Sequence, residues 1–232
     1  MTHAQILSHV YGGTFTPSLG RAFDLTNGTI VAERIEDRVN PSIREGGGEG
    51  RPINMAGDGF AEGTGGPEPT DQLWNANFTG ATAEAKFALY PQDFGFFDGA
   101  TGGSYRKLFD LQGSGFNVTG VANLAPAAGH LIRWGRSGEA RTFSSREADN
   151  SDAYDHLITY EIHNVPPQGV PGGGSTTRWL IFWEDAFLNE PSDLDYNDLV
   201  VEIRATAVPE PAMGALALLG LFGALARRGR HD

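Results

Sequence analysis

The stretch Trp179-Leu-Ile-Phe-Trp183 is apolar at every position. It is too short for a core helix and rich in the aromatic and branched side chains that strands favour, which predicts a strand covered on both faces. Upstream, His156-Leu-Ile-Thr-Tyr-Glu-Ile162 alternates and places His156, Ile158, Tyr160 and Ile162 on one face. Downstream, Leu199-Val-Val-Glu-Ile203 forms a third run of the same kind. Together they read as an antiparallel meander whose second connection, Asp185–Asp198, is unusually acidic.

Working back from the meander, short β candidates separated by turn residues recur at Glu84–Tyr90, Tyr105–Leu111, Phe116–Val121, His130–Trp134 and Arg141–Ser144. This spacing predicts an all-β domain, an antiparallel β-sandwich or jelly roll, over residues 71–207. Residues 45–69 hold nine glycines and almost no apolar side chains, so 45–70 reads as a Gly/Pro-rich loop or linker. Residues 1–44 form a weakly β segment, with strands expected around Ala22–Leu25 and Thr29–Ile35.

The 232 residues carry a net charge of −12, which argues against nucleic acid and anionic lipid as partners and suits a cation. There are no cysteines, so disulfides, thiol nucleophiles and cysteine metal sites are excluded. Between Arg178 and Arg204 there is no basic residue, yet there are seven carboxylates: Glu184, Asp185, Glu190, Asp193, Asp195, Asp198 and Glu202. Like charges packed into one connection repel unless something neutralises them. Asp193-Leu-Asp195-Tyr-Asn197-Asp198 offers oxygen ligands at alternate positions, and Asp185 could add a carboxylate from the preceding strand. Ca²⁺ takes six to eight such oxygens with flexible geometry, so Asp185, Asp193, Asp195, Asn197 and Asp198 are the candidate ligands. The pattern is not an EF-hand, because its sixth position is Asp198 and its twelfth Arg204. The alternative is a solvated acidic turn whose side chains cap backbone amides.

Catalytic patterns are missing from the sequence. The six histidines (3, 9, 130, 156, 163 and 231) show no zinc spacing, and His156 reads as a strand-end residue bonded to a neighbouring carboxylate. No Gly-x-Ser-x-Gly elbow is present, and Gly172-Gly-Gly-Ser-Thr-Thr177 lacks the lysine of a phosphate loop. The acidic connection offers no apolar pocket to raise one carboxylate's pKa for glycoside hydrolysis. Trp74, Trp134, Trp179 and Trp183 read as core, with sugar stacking as the alternative. A non-enzymatic protein is expected.

Phe143-Ser-Ser, Asp155-His156-Leu-Ile-Thr-Tyr160, Phe182-Trp183-Glu184-Asp185 and Asp193–Val201 resemble the bacterial family catalogued as domain of unknown function 4114. The resemblance covers about residues 85–205 and departs from the family by the insertion of Trp183 before Glu184-Asp185. It implies a β-rich module of exported and surface proteins, suspected of binding Ca²⁺.

The last residues read Val208-Pro209-Glu210-Pro211, an uncharged apolar run from Ala212 to Ala226, then Arg227-Arg228-Gly229-Arg230. As a helix the run spans roughly 22 Å, short of the ~30 Å hydrocarbon core. Arginines on its far side alone keep that end cytoplasmic and place the body of the chain outside. The order Pro209-Glu210-Pro211, span, then Arg227, Arg228 and Arg230 resembles the bacterial PEP-CTERM sorting signal. That resemblance implies cutting near the triplet by an exosortase, transient insertion of 212–226 in the inner membrane, and delivery to the cell surface or extracellular matrix of a Gram-negative bacterium. Met1–Val10 has neither a basic n-region nor an apolar stretch, so a leader upstream of Met1 is expected. The sequence thus predicts an exported, sorted β-sandwich protein with a Ca²⁺-binding acidic loop and a sorting tail at 208–232. The alternative is a secreted carbohydrate-binding module or carbohydrate-active enzyme, with an extracellular polysaccharide as partner.

Overall fold

The computed structural model describes residues 1–19, 24–35, 73–74, 77–124, 131–139, 141–152, 155–165, 176–185 and 195–206. The 45–70 linker and the 208–232 tail, with Pro209, Glu210, Pro211 and the arginine cluster, lie outside them. Among the described residues, no helix is long and apolar enough to cross a membrane.

Among the described residues, one α-helix, α1 (His3–Tyr11), precedes twelve strands: β1 (Thr16–Pro17), β2 (Leu25–Thr26), β3 (Val31–Ile35), β4 (Asn77–Lys86), β5 (Gln92–Asp98), β6 (Tyr105–Asp110), β7 (Val121–Asn123), β8 (Ile132–Gly138), β9 (Arg141–Ser144), β10 (Leu157–His163), β11 (Thr176–Trp183) and β12 (Leu199–Thr206). They form an eight-stranded sheet in the order β1-β2-β3-β10-β11-β12-β4-β7 and a four-stranded sheet in the order β6-β5-β8-β9. Every pairing is antiparallel. The all-β sandwich expected from the sequence is the fold observed.

β10, β11 and β12 are consecutive neighbours, as the meander predicts. The unbroken apolar run of β11 has the expected cause. Ile181 and Trp183 point into the core between the sheets, together with Leu199, Val201 and Ile203 of β12 and with Phe94, Phe109, Ile132, Trp134 and Phe143 of the smaller sheet. Leu180 and Phe182 point the other way, into a second core with Ile158, Tyr160, Ile162, Val200 and, from α1, Ile6 and Leu7. A strand with an apolar layer on each side has no face left for polar residues.

Two expectations need correction. The first residues form a helix, because Thr2 and Gln5 make a capping box: Gln5 N–H donates to Thr2 Oγ1 (3.3 Å) and Thr2 N–H to Gln5 Oε1 (3.0 Å). His3, Ile6 and Leu7 then share its buried face. The strand expected around Thr29–Ile35 also joins the larger sheet, since β3 pairs with β10 from Val31↔His163 to Ile35↔Thr159. Finally, β5 interrupts what the sequence reads as turn. Gly95 at its centre looks like a breaker, but the strand carries a register shift between Phe94 and Gly95 that brings the Arg106 carbonyl where a side chain would stand. Two strand limits move as well: the strand expected at Glu84–Tyr90 ends at Lys86, and that expected at Phe116–Val121 begins only at Val121.

Candidate metal centre

The geometry of the site follows from the register of β11 and β12. Trp183 and Leu199 are paired, and Asp198 N–H donates to the Trp183 carbonyl at 3.1 Å, so the residues just past β11 and just before β12 meet. Asp185 N–H then donates to Asp198 Oδ2 at 2.8 Å. Glu184, Asp185 and Asp198 each bring a carboxylate oxygen to within 4.8 Å of the others. Glu184 is buried, while Asp185 and Asp198 are half-buried.

The smaller sheet completes the surroundings. Gln92, at the start of β5, donates from Nε2 to Asp185 Oδ2 at 3.0 Å. Its side chain is buried, at 4 % exposure, and its Oε1 has no hydrogen-bond partner among the described residues. Arg136 of β8, 2 % exposed, places Nη2 3.6 Å from Asp185 Oδ2. Burial pulls the Arg136 pKa down to about 10, against Asp198 and Glu184, which hold it up, so it stays cationic at pH 7. Lys86 is also pulled down by burial and held up by Asp198, and its ammonium donates to the Ala88 carbonyl at 2.9 Å. Among the described residues, three carboxylates therefore face two cations at the end of the sandwich where β11 and β12 meet β5 and β8. The three carboxylates form an all-oxygen donor set, to which the Gln92 amide would add its oxygen on turning over, and such a set suits a hard divalent cation.

Of the five expected ligands, Asp185 and Asp198 are brought together. Asp193 lies outside the described residues. Asp195 and Asn197 make their described contacts elsewhere. Tyr196 between them adopts a left-handed conformation (φ 49°), and its buried side chain donates to the Asp155 carbonyl at 2.9 Å. The chain is thus not extended there, and Asp195 and Asn197 turn toward the N-terminus. Asn197 Nδ2 donates to the Met1 carbonyl at 2.8 Å and to Asp195 Oδ2. Glu184 belongs to the acidic run but escaped the ligand set, because it precedes the turn. Gln92 and Arg136 come from distant strands and leave no local signal.

His156 ends beside β10 as expected, with Nε2 3.0 Å from Asp152 Oδ2 and its ring stacked on Phe143 at 3.8 Å. Burial lowers its pKa more than Asp152 raises it. Trp74, Trp134 and Trp183 are buried in the core, which removes them from sugar stacking, while Trp179 is half-buried against the same core.

No family model matches the chain, and no curated protein does. Among solved structures it is similar to a lectin of Chromobacterium violaceum in complex with alpha-methyl-fucoside, at 15% identity over 60% of this chain and 100% of that one, with TM-score 0.37. It is similar to a high-affinity mannose-binding lectin of Ralstonia solanacearum at 16% identity over 60% and 100%, with TM-score 0.35. A third is the C-terminal domain of a Burkholderia cenocepacia lectin, at 15% identity over 59% and 94%, with TM-score 0.34. Nothing about a ligand follows from likeness of this degree. What the fold and the site define is a two-sheet antiparallel β-sandwich with an acidic cluster at one end.

Proposed function

We propose that this chain is a non-enzymatic, exported β-sandwich module that takes Ca²⁺ at Glu184, Asp185 and Asp198, with the Gln92 amide as a further oxygen ligand. The observation that carries this reading is the convergence of three carboxylates beside the buried Gln92 amide, whose oxygen has no hydrogen-bond partner among the described residues. An unpaired buried amide oxygen costs free energy, and a cation would recover it. Bound there, Ca²⁺ ties β11 and β12 to β5 and stabilises the sandwich by mass action. At a hundredfold excess over Kd the gain is about 2.7 kcal/mol, a rise in Tm of about 5 °C or more for a chain of this size. Mg²⁺ gives much less, because it demands a small regular octahedron. A Tm unchanged by millimolar Ca²⁺ after treatment with a chelator contradicts the proposal.

The delivery route rests on the order Pro209-Glu210-Pro211, apolar run, then Arg227, Arg228 and Arg230. We infer that an exosortase cuts near the triplet and that the module ends at the cell surface or in the matrix. Mass spectrometry of mature protein from the native host then finds a chain ending near Glu210–Pro211. An intact Arg227–Asp232 end contradicts the inference.

A second reading, carbohydrate binding, is favoured by the loop between β4 and β5. Phe87 and Ala88 N–H groups donate to the Asp198 carbonyl, and the same loop exposes Leu89 and Tyr90 just before Gln92. An exposed aromatic ring beside a cation cluster is suited to a sugar face. A glycan array probed with Ca²⁺ and again with chelator tests it: spots that vanish with chelator support this reading, and a blank array in both contradicts it.

A further inference from the structure

We propose that α1 is an acid-released strap: at neutral pH the His3 side chain holds it against the outer face of the larger sheet, and protonation of that imidazole lifts it off.

The inference starts from how His3 is held. Its side chain is buried at the head of α1, with its ring stacked on Phe182 of β11 at 4.2 Å. Nε2 lies 3.1 Å from the Asp195 main-chain oxygen and Nδ1 lies 3.1 Å from Tyr160 Oη of β10. A carbonyl only accepts, so Nε2 carries the hydrogen and Nδ1 accepts from the Tyr160 hydroxyl. The neutral ring spends both nitrogens. A second proton, on Nδ1, has to displace the hydroxyl hydrogen it now accepts.

The surroundings offer that charge little compensation. From β3 comes the buried Arg34, whose main-chain N–H donates to Asp24 Oδ1 at 3.0 Å. The Met1 nitrogen stands 3.5 Å from Asp195 Oδ2. The Asp195 carboxylate is the acidic group of the 195–197 turn, already bonded to Asn197, and Tyr196 beside it is neutral with its pKa raised by burial. β11 presents Phe182, and β10 the neutral Tyr160. Burial, with Arg34 next, pushes the imidazole down to about 3, although the Asp195 and Tyr196 backbones pull it up.

The sign follows directly. A free His3 takes its proton as pH falls through its ordinary value of 6.5, whereas the docked one resists until about 3. Docking is therefore at full strength above pH 7 and weakens progressively as pH drops below 6.5, by about 100-fold at pH 4.5. Release need not unfold the sandwich. Ile6 and Leu7 pack only in the outer core, with Tyr160, Leu180 and Phe182, while the core between the sheets contains no residue of α1. Other anchors hold the helix near its ends, Asn197 on the Met1 carbonyl and the Met1 nitrogen on Asp195 at one, and the His9 ring stacked on Phe116 at 3.7 Å and Tyr11 Oη on Glu202 Oε2 at 2.9 Å toward the other. What release uncovers is the apolar strip of Tyr160, Leu180 and Phe182.

Hydrogen exchange of the full chain at pH 7.5 and 4.5, corrected for intrinsic rates, tests the strap. Wild type is expected to lose about 100-fold of the protection of its α1 amides at pH 4.5 while β11 and β12 stay protected. His3→Gln, which can donate to Asp195 and accept from Tyr160 but cannot charge, is expected to keep its α1 protection at both values. The proposal is overturned if wild-type α1 stays protected at pH 4.5, if it loses protection only together with β11 and β12, or if the variant loses it equally. Should His3→Gln fail to dock at pH 7.5, NMR titration of the wild-type His3 ring decides. Charging in step with α1 exchange supports release, and charging near pH 6.5 with α1 still protected overturns it.

Discussion

Trp134→Ala lowers the unfolding free energy by about 3–5 kcal/mol, the range for deleting a large aromatic from a packed core. Trp134 is fully buried, and its ring is the junction of the sandwich. It stacks on Phe94 of β5 at 5.3 Å, meets Phe78 of β4 edge-on at 4.9 Å and approaches Trp74 at 6.1 Å. The side chain therefore joins the smaller sheet to the larger one, and none of its neighbours is a flexible chain end that can fill the cavity. Urea unfolding measures the loss. Leu89→Ala serves as the contrast: Leu89 is 91 % exposed, so that change should fall within about 0.5 kcal/mol of wild type. A Trp134→Ala loss no larger than that of Leu89→Ala contradicts the two-sheet core.

Arg136→Met removes a buried guanidinium, one of the two cations described beside Glu184, Asp185 and Asp198. Breaking a buried pair from one side costs about 3–5 kcal/mol, because the stranded charge stays desolvated. The cost is expected in chelator, and Ca²⁺ is expected to restore a larger share of stability in the variant than it adds to wild type. The reason is electrostatic: with one cation gone, the cluster's net charge is more negative and a divalent ion binds it more tightly. Melting curves of both proteins with chelator and with Ca²⁺ measure this. A variant as stable as wild type in chelator contradicts the picture of Arg136 as the internal counter-charge.

Much of the fold could be read from the chain because β10, β11 and β12 advertise their burial. Alternation in β10 and unbroken apolarity in β11 each follow from which faces have cores against them. β5 escaped because Gly95, which reads as a breaker, is required by a close backbone approach from β6. α1 escaped although Thr2 and Gln5 spell a capping box, since a single short helix has little periodicity to announce it. The site was legible by half. Asp185 and Asp198 flank two strands whose pairing forces them together, whereas Gln92 and Arg136 arrive from the other sheet, and sequence distance hides them. Asp195 and Asn197 face the N-terminus across a left-handed Tyr196, a local turn that alternating spacing does not announce.

The central claim is that a cation belongs at Glu184, Asp185 and Asp198 and not at the Asp195–Asn197 turn. Calorimetric titration of Ca²⁺ into chelator-treated wild type, Asp198→Asn and Asp195→Asn tests it most directly. Wild type and Asp195→Asn are expected to bind Ca²⁺ alike, and Asp198→Asn to lose binding by tenfold or more, since a lost charge-assisted ligand is worth about 1.5–3 kcal/mol. Loss of binding in Asp195→Asn with Asp198→Asn unaffected, or no heat of binding in wild type, contradicts the account.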